Sequence, residues 1–175
     1  FVKKKTGKLT GWIGYTLSKT TRYFDDVNNA EPFPAKYDRR HDLSITATHK
    51  LNDKWTLSSV FVYATGNSIT LPTERYVIGG DIYTEYTSRN GYRMEPYHRL
   101  DLGATYDPGK KKKFNSSWNF SIYNVYSRKN PYFIYFDLEA PEGEDGSIQD
   151  GNLTPKAYQV SIFPILPSVT WNFNF

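Results

Sequence analysis

The last segment of the chain, residues 162–175, alternates apolar and polar side chains up to its final residue. Its apolar positions are Ile165, Val169, Trp171, Phe173 and Phe175, and its polar positions are Ser168, Thr170, Asn172 and Asn174. A period of two places alternate side chains on opposite faces of a strand. The pattern therefore predicts a strand with one apolar and one polar face that ends on an aromatic residue, where soluble domains usually fray.

Six earlier segments alternate in the same way and predict six further strands. They cover residues 1–5, 9–23, 39–51, 55–65, 97–106 and 113–126. The clearest of them alternates Leu43, Ile45 and Ala47 with Ser44 and Thr46. In the seventh strand the apolar phase changes after residue 162, which predicts a β-bulge near residue 164.

The connections between these strands alternate between short and long. Tight turns are predicted near Thr6, Asn52 and Pro108, and the long connections are residues 24–38, 66–96 and 127–155. In an up-and-down sheet, alternate connections lie at the same edge, so one rim has tight turns and the other has long excursions. Outer-membrane barrels have this asymmetry. The predicted fold class is therefore all-β: an antiparallel up-and-down segment of a transmembrane β-barrel.

The aromatic residues support the membrane interpretation. They make up 17% of the chain, although only 38% of the residues are hydrophobic, and no apolar run reaches the roughly 18 residues of a transmembrane helix. One group is predicted near the tight turns: Trp12, Trp55, Phe114, Trp171, Phe173 and Phe175. Another is predicted near the long loops: Tyr23, Phe24, Tyr63, Tyr97, Tyr126, Tyr132 and Phe133. Two such belts are typical of the aromatic girdles of membrane barrels.

Charge and cysteine content exclude some classes of protein. The net charge of +4 comes partly from two lysine runs, residues 3–5 and 110–113. Neither run lies on a predicted helix or beside a recognition motif, so we interpret both as solvated turns and predict no nucleic-acid partner. The chain has no cysteine, which excludes disulfides and thiolate-bound metals.

Four motifs resemble the C-terminal barrel region of TonB-dependent outer-membrane receptors, and the similarity spans essentially all 175 residues. They are Tyr37-Asp38-Arg39-Arg40-His41-Asp42, Tyr97-His98-Arg99-Leu100-Asp101-Leu102, Asn130-Pro131-Tyr132 and the closing segment 163–175. The resemblance implies a receptor of a Gram-negative outer membrane that imports a scarce ligand. Its barrel would have 22 strands, with residues 1–175 as about seven C-terminal strands. The earlier strands, the plug domain and the segment that contacts TonB would lie outside this chain.

The resemblance also implies partners and an orientation. The partners would be outer-membrane lipid, the remainder of the receptor and, through the missing N-terminal region, TonB. The carboxyl terminus would lie in the periplasm. A final strand carrying Trp171, Phe173 and Phe175 resembles the signal read by the barrel-assembly machinery through strand addition. The same three side chains would form the periplasmic aromatic belt.

The remaining polar motifs give one candidate site. Arg39 and Arg40 with Asp38 and Asp42 are interpreted as a charge network in the barrel lumen near its outer mouth, or as a contact for an anionic ligand. The three histidines lack metal-ligand spacing, and the acidic segment 142–151 lacks the oxygen spacing of a calcium loop. No catalytic arrangement is present in the sequence, so we predict no enzyme activity, no cofactor and no metal.

Three alternatives remain open at this point. The chain could belong to a passive porin without a plug, which the sequence upstream of Phe1 would decide. It could be a soluble all-β module whose aromatic loops bind carbohydrate, which folding without detergent would decide. It could also be a segment held by assembly or carrier proteins. The transported ligand is not indicated by the fold class.

Overall fold

The computed structural model describes residues 1–78, 81–109, 115–139 and 154–174. The protein is all-β, and every strand pairing is antiparallel. The strands are β1 Val2–Lys4, β2 Leu9–Leu17, β3 Thr21–Arg22, β4 Phe33–Pro34, β5 His41–Lys50, β6 Trp55–Ala64, β7 Ser68–Ile69, β8 Pro72–Ile78, β9 Asp81–Tyr86, β10 Tyr92–Arg93, β11 Tyr97–Tyr106, β12 Asn115–Tyr123, β13 Pro131–Glu139, β14 Thr154–Ser161 and β15 Leu166–Asn174. A 3-10 turn covers Asn28–Ala30.

Seven of these strands form one sheet in the order β1-β2-β5-β6-β11-β12-β15. This order follows the chain, so the sheet is an up-and-down meander, as the sequence predicted. Short connections join β1 to β2, β5 to β6 and β11 to β12, and long ones join the other neighbours. We call the two ends of the sheet the tight-turn end and the loop end. The lysines at 110–113 and Phe114 lie outside the described residues.

The strand register places the predicted apolar positions on one face of this sheet. Directly paired residues share a face, and Ile13 pairs with Ile45, which pairs with Phe61, which pairs with Leu100. The polar positions align on the other face, where Thr10 pairs with Thr48. We call these surfaces the apolar face and the polar face. The alternation predicted for these strands is therefore confirmed.

Two residues of the predicted aromatic belts lie on the polar face instead. Trp12 pairs with Thr46, and Tyr97 pairs with Ala64, which itself pairs with Asp42. Their parity along β2 and β11 decides this, because a strand alternates faces whatever the type of side chain. The aromatic belts were predicted from the height of each residue along its strand, and height does not determine which face of the sheet a side chain occupies.

The long connections differ from the loops that the sequence predicted, because they contain hairpins. The first carries β3 paired with β4, the second carries β7 paired with β10 and, within it, β8 paired with β9, and the third carries β13 paired with β14. The strand predicted over residues 9–23 accordingly ends in the sheet at Leu17, and Thr21–Arg22 belongs to a hairpin. These hairpins pair through their backbones and need no single buried face. The alternation of apolar and polar side chains therefore did not predict them.

The bulge predicted near Pro164 is an interruption of the strand. Strand β14 ends at Ser161, β15 begins at Leu166, and Phe163 between them has a φ of 57°. Proline has no N–H for the ladder, which favours such a break. The two strands that flank the break pair with different partners, β13 and β12.

Burial is concentrated at the loop end. The buried apolar residues among those described are Phe33, Ala35, Ala64 and Met94, and the buried polar ones are Asp38, Ser68, Asn124 and Asn130. Large side chains of the apolar face stay exposed, among them Leu102, Phe120 and Val169. The described strands form an open sheet with β1 and β15 at its edges. None of the described segments is an apolar helix of membrane-spanning length.

Candidate functional site

A recess of about 560 Å³ lies at the loop end of the sheet, and we call it the loop-end recess. Six segments of the chain form it: the turn before β5, the connection after β6, the start of β11, the end of β12, the start of β13 and the break before β15. Its lining residues are Lys36, Tyr37, Arg39, Asn67, Tyr97, Tyr123, Asn130, Pro131, Tyr132, Phe133, Ile162 and Phe163. Among the described residues, the lining has six aromatic rings and two cations but no carboxylate.

Arg99 fixes the two tyrosines that reach the recess from the sheet. Its Nη1 donates to the hydroxyl of Tyr123 at 2.6 Å and to that of Tyr97 at 3.0 Å. Its guanidinium carbon lies 4.1 Å from the centroid of the Tyr123 ring, and its Nε donates to Asp101 at 3.0 Å. The arginine is thereby neutralised and held by one carboxylate, while both tyrosine rings are oriented on the polar face.

Asn124 holds the break in the C-terminal strand region next to the recess. It is 1% exposed, and its Nδ2 donates to the carbonyl of Phe163 at 3.2 Å and to that of Arg128 at 3.0 Å. The Phe163 ring meets the Tyr123 ring edge-on, with centroids 6.4 Å apart. A buried amide therefore fixes the backbone that carries an exposed aromatic ring.

Asn130 fixes the start of β13 to β11. Its Nδ2 donates to the carbonyl of His98 at 2.9 Å, and its Oδ1 accepts from the N–H of His98 at 3.0 Å. At His98 the pairing of β11 with β12 has already ended. The Asn130 side chain therefore supplies the two hydrogen bonds that a neighbouring strand would make. Asn130 belongs to the Asn130-Pro131-Tyr132 motif of the resemblance, from which no contact of its side chain was predicted.

Asp38 and Arg93 form a second anchor, which ties the first two excursions together. Arg93 Nη2 donates to Asp38 Oδ2 at 2.6 Å, and Nη1 donates to the carbonyls of Asp38 and Gly66. The N–H of Thr20 donates to Asp38 Oδ1 at 2.5 Å. This backbone hydrogen bond, with the guanidinium of Arg93, lowers the pKa of Asp38. The backbones approach so closely here that a Cβ on Gly66 would lie 1.9 Å from the Met94 carbonyl oxygen.

The four charged residues that the sequence grouped occupy different places. Asp38 is buried against Arg93, whereas Arg39 lines the loop-end recess with its Nη1 3.8 Å from Asp42 Oδ2. Arg40 is exposed, and its charge contributes to the lowered pKa of Asp38. Arg93, the partner of Asp38, was missed because a single arginine in a segment without periodicity carries no sequence signal.

The aromatic residues of the last strand continue a row across the apolar face at the tight-turn end. Trp55 pairs with Tyr106, Tyr106 with Trp118, and Trp118 with Trp171. The rings of Trp118 and Trp171 stack with centroids 5.7 Å apart, and the centroids of the Trp171 and Phe173 rings are 4.7 Å apart. Phe175, predicted as the third member of this group, lies outside the described residues.

The three histidines do not converge on one site. The Nδ1 atom of His41 is hydrogen-bonded to the Tyr15 hydroxyl at 2.8 Å. The Nδ1 atom of His98 is hydrogen-bonded to the Tyr126 hydroxyl, also at 2.8 Å. Among the described residues no group of three or more His, Asp or Glu side chains is placed to hold a metal ion. The acidic segment 142–151 lies outside the described part of the chain.

Comparison with protein-family models, with curated proteins and with solved structures gives no match for this chain.

Proposed function

We propose that the chain is the C-terminal part of the barrel of a TonB-dependent outer-membrane receptor, which imports a ligand across the outer membrane of a Gram-negative bacterium. The observation that carries this proposal is the register of the seven-stranded sheet, which places apolar side chains on one face and polar ones on the other. A barrel wall needs this division, because one face contacts hydrocarbon and the other contacts water or protein.

The exposure of the apolar face favours lipid as its partner. Leu102, Phe120 and Val169 are 42%, 42% and 61% exposed, and they belong to a surface that spans several strands. In a water-soluble protein, a continuous exposed apolar surface that spans several strands marks an interaction site. In an outer-membrane barrel it is the normal outer surface.

Two rows of aromatic and histidine side chains bound this apolar face. The row at the tight-turn end contains Trp55, and the row at the loop end contains Tyr63, which pairs with His98. Residues 55 and 63 are eight positions apart, about 27 Å along a strand. A strand tilted by about 40° reduces this to roughly 20 Å, close to the apolar band of about 25 Å in outer-membrane barrels.

The open edges of the sheet require further strands if the proposal holds. The outer edges of β1 and β15 carry backbone groups that cannot stay unpaired in hydrocarbon. In our proposal earlier strands of the receptor pair with them, the barrel-assembly machinery engages β15 first, and the plug fills the lumen. TonB would act through a segment outside this chain. The long excursions would lie at the outer surface of the membrane.

Single-cysteine labelling at two neighbouring positions tests the barrel. Because the chain has no cysteine, Ile45→Cys and Thr46→Cys each introduce a thiol on opposite faces of β5. In the complete receptor in outer membranes, with any cysteine elsewhere replaced, we expect a small water-soluble maleimide to label Thr46→Cys. Ile45→Cys should resist it and react with a lipid-soluble maleimide. Equal labelling of both thiols by the water-soluble reagent would reject the membrane wall.

Transport tests separate the receptor from its two rivals. We expect ligand accumulation by cells to stop when TonB is deleted or the proton gradient is dissipated. Uptake that persists would support a passive porin. A chain that folds as a monomer without detergent would support the soluble carbohydrate-binding module instead.

A further inference from the structure

We propose that the loop-end recess binds a small anionic ligand that has a ring with an apolar face, such as an aryl carboxylate or a sugar acid. This inference rests on the proposed function only for the direction from which the ligand arrives. The chemistry comes from the charges, the rings and the backbone of the recess.

The charge of the recess favours an anion. Lys36 and Arg39 line it, and the lining residues that the structure describes include no carboxylate. The two acidic residues beside these cations in the sequence, Asp38 and Asp42, do not neutralise both of them. Asp38 is buried and bound to Thr20 and Arg93, and Asp42 lies 3.8 Å from Arg39 in a pair whose side chains are both more than 40% exposed. Such an exposed pair is weak, so Arg39 can exchange Asp42 for a ligand at little cost.

The aromatic rings of the recess favour a ligand with a flat apolar surface. Tyr37, Tyr132 and Phe163 are 72%, 64% and 58% exposed. The Tyr132 and Phe133 rings meet edge-on with centroids 5.7 Å apart, and Phe133 is also 45% exposed. Rings of this kind bind other rings by stacking and bind apolar sugar faces by contact.

The backbone at Phe163 indicates that its ring is placed for a purpose other than packing. Its φ of 57° is uncommon for a bulky residue, and strained residues are concentrated at ligand sites. The buried Asn124 holds this conformation through the Phe163 carbonyl. Since the ring is largely exposed, burial does not compensate for the strain.

Asn67 offers a polar contact in the same recess. Its Oδ1 is buried and has no hydrogen-bond partner among the described residues, while its backbone carbonyl accepts from the Met94 N–H at 2.9 Å. A turn of the Asn67 side chain toward the recess on binding would let this oxygen accept from a hydroxyl or N–H of the ligand. Unpaired buried acceptors are rare in folded proteins, so the atom supports a polar substituent on the ligand.

The first test compares matched probes on the complete purified receptor in detergent. Isothermal titration is done with 4-hydroxybenzoate and 4-hydroxybenzamide, and with digalacturonate and its neutral counterpart digalactose. We expect the anion of at least one pair to bind about tenfold more tightly than its neutral partner, since one charge-assisted contact contributes about 1.4 kcal/mol or more. Tighter binding of the benzoate would identify an aryl acid, and tighter binding of the digalacturonate a sugar acid.

Variants then assign the binding to the recess. The double variant Lys36→Gln/Arg39→Gln should lose the tenfold preference for the anion, whereas Lys54→Gln at the tight-turn end, the control, should keep it. Phe163→Gly removes the ring but suits the positive φ. It should therefore weaken the probe at least about fivefold while the midpoint of thermal unfolding stays the same or rises.

Three results would overturn the inference: no binding of either anion, equal binding of anion and neutral partner, or an unchanged preference in the double variant. Its failure is separable from failure of the proposed function. Labelling at residues 45 and 46 reports only the membrane wall, and the titrations in detergent report only the recess.

Discussion

The apolar face of the sheet and the loop end of the same molecule follow opposite rules. On the apolar face, large hydrophobic side chains such as Phe120 and Val169 remain exposed. At the loop end, polar side chains such as Asp38 and Asn124 are buried and hydrogen-bonded. Soluble domains usually bury the first kind of residue and expose the second.

The difference shows that two parts of one sheet are stabilised by different means. Along the strands, stability comes from backbone ladders and, in our proposal, from lipid that accepts the apolar groups. At the loop end, where water is present in our proposal, single polar side chains replace missing strand neighbours. The Asp38–Arg93 pair and Asn130 hold the excursions in place by hydrogen bonds.

An arginine on the apolar face should have the largest effect. Ile122 lies midway between the two aromatic rows, paired with Leu102, and Ser121 is its neighbour on the polar face. We expect Ile122→Arg to lower the free energy of unfolding in lipid vesicles by about 2–4 kcal/mol, because a charge at mid-bilayer loses its hydration. Denaturant titration of the complete receptor measures this. Ser121→Arg should cost clearly less, and equal costs would remove the distinction between the faces.

Removal of the Asp38 carboxylate should have a smaller and local effect. Asp38→Ala leaves the Thr20 N–H and the Arg93 Nη2 without their acceptors, which should destabilise the loop end by about 1.5–3 kcal/mol. Hydrogen exchange at the Thr20 amide should accelerate accordingly, while exchange at Ile45 in the sheet stays unchanged. Asp42→Ala is the control, because its pair with Arg39 is exposed and worth less than about 1 kcal/mol. Similar acceleration in both variants would show that the buried pair has no special role.

Acidification should give the smallest effect, since a protonated Asp38 keeps part of its hydrogen bonding. The pKa of Asp38 is lowered from its ordinary value of 3.8. Its contribution to stability is therefore complete above pH 3.8 and declines as the pH falls through the lower folded value. We expect protection of the Thr20 amide, corrected for intrinsic exchange, to be constant above about pH 4.5 and to fall below about pH 3.5. In Asp38→Asn this decline should be absent; an equal decline there would assign it to other groups.

The sheet was readable from the sequence because its signal is local. Alternation over residues 97–106 predicted β11 with the bounds that the structure gives, and the turn residues near Asn52 predicted the β5–β6 hairpin. Pairs that depend on distant segments gave no such signal. Tyr123 was assigned to a strand without a role, and Arg93 and Phe163 were not singled out for the site.

The sequence by itself determined the two faces, the order of the main strands and the division into tight turns and long excursions, because a period of two is set by strand geometry alone. Only the tertiary structure decided which excursion residues meet. Arg93 reaches Asp38 across 55 positions, and Asn124 reaches Phe163 across 39. Such contacts form only after the sheet has brought the excursions together at its loop end. The residues next to Arg93 or Asn124 in the sequence therefore do not indicate them.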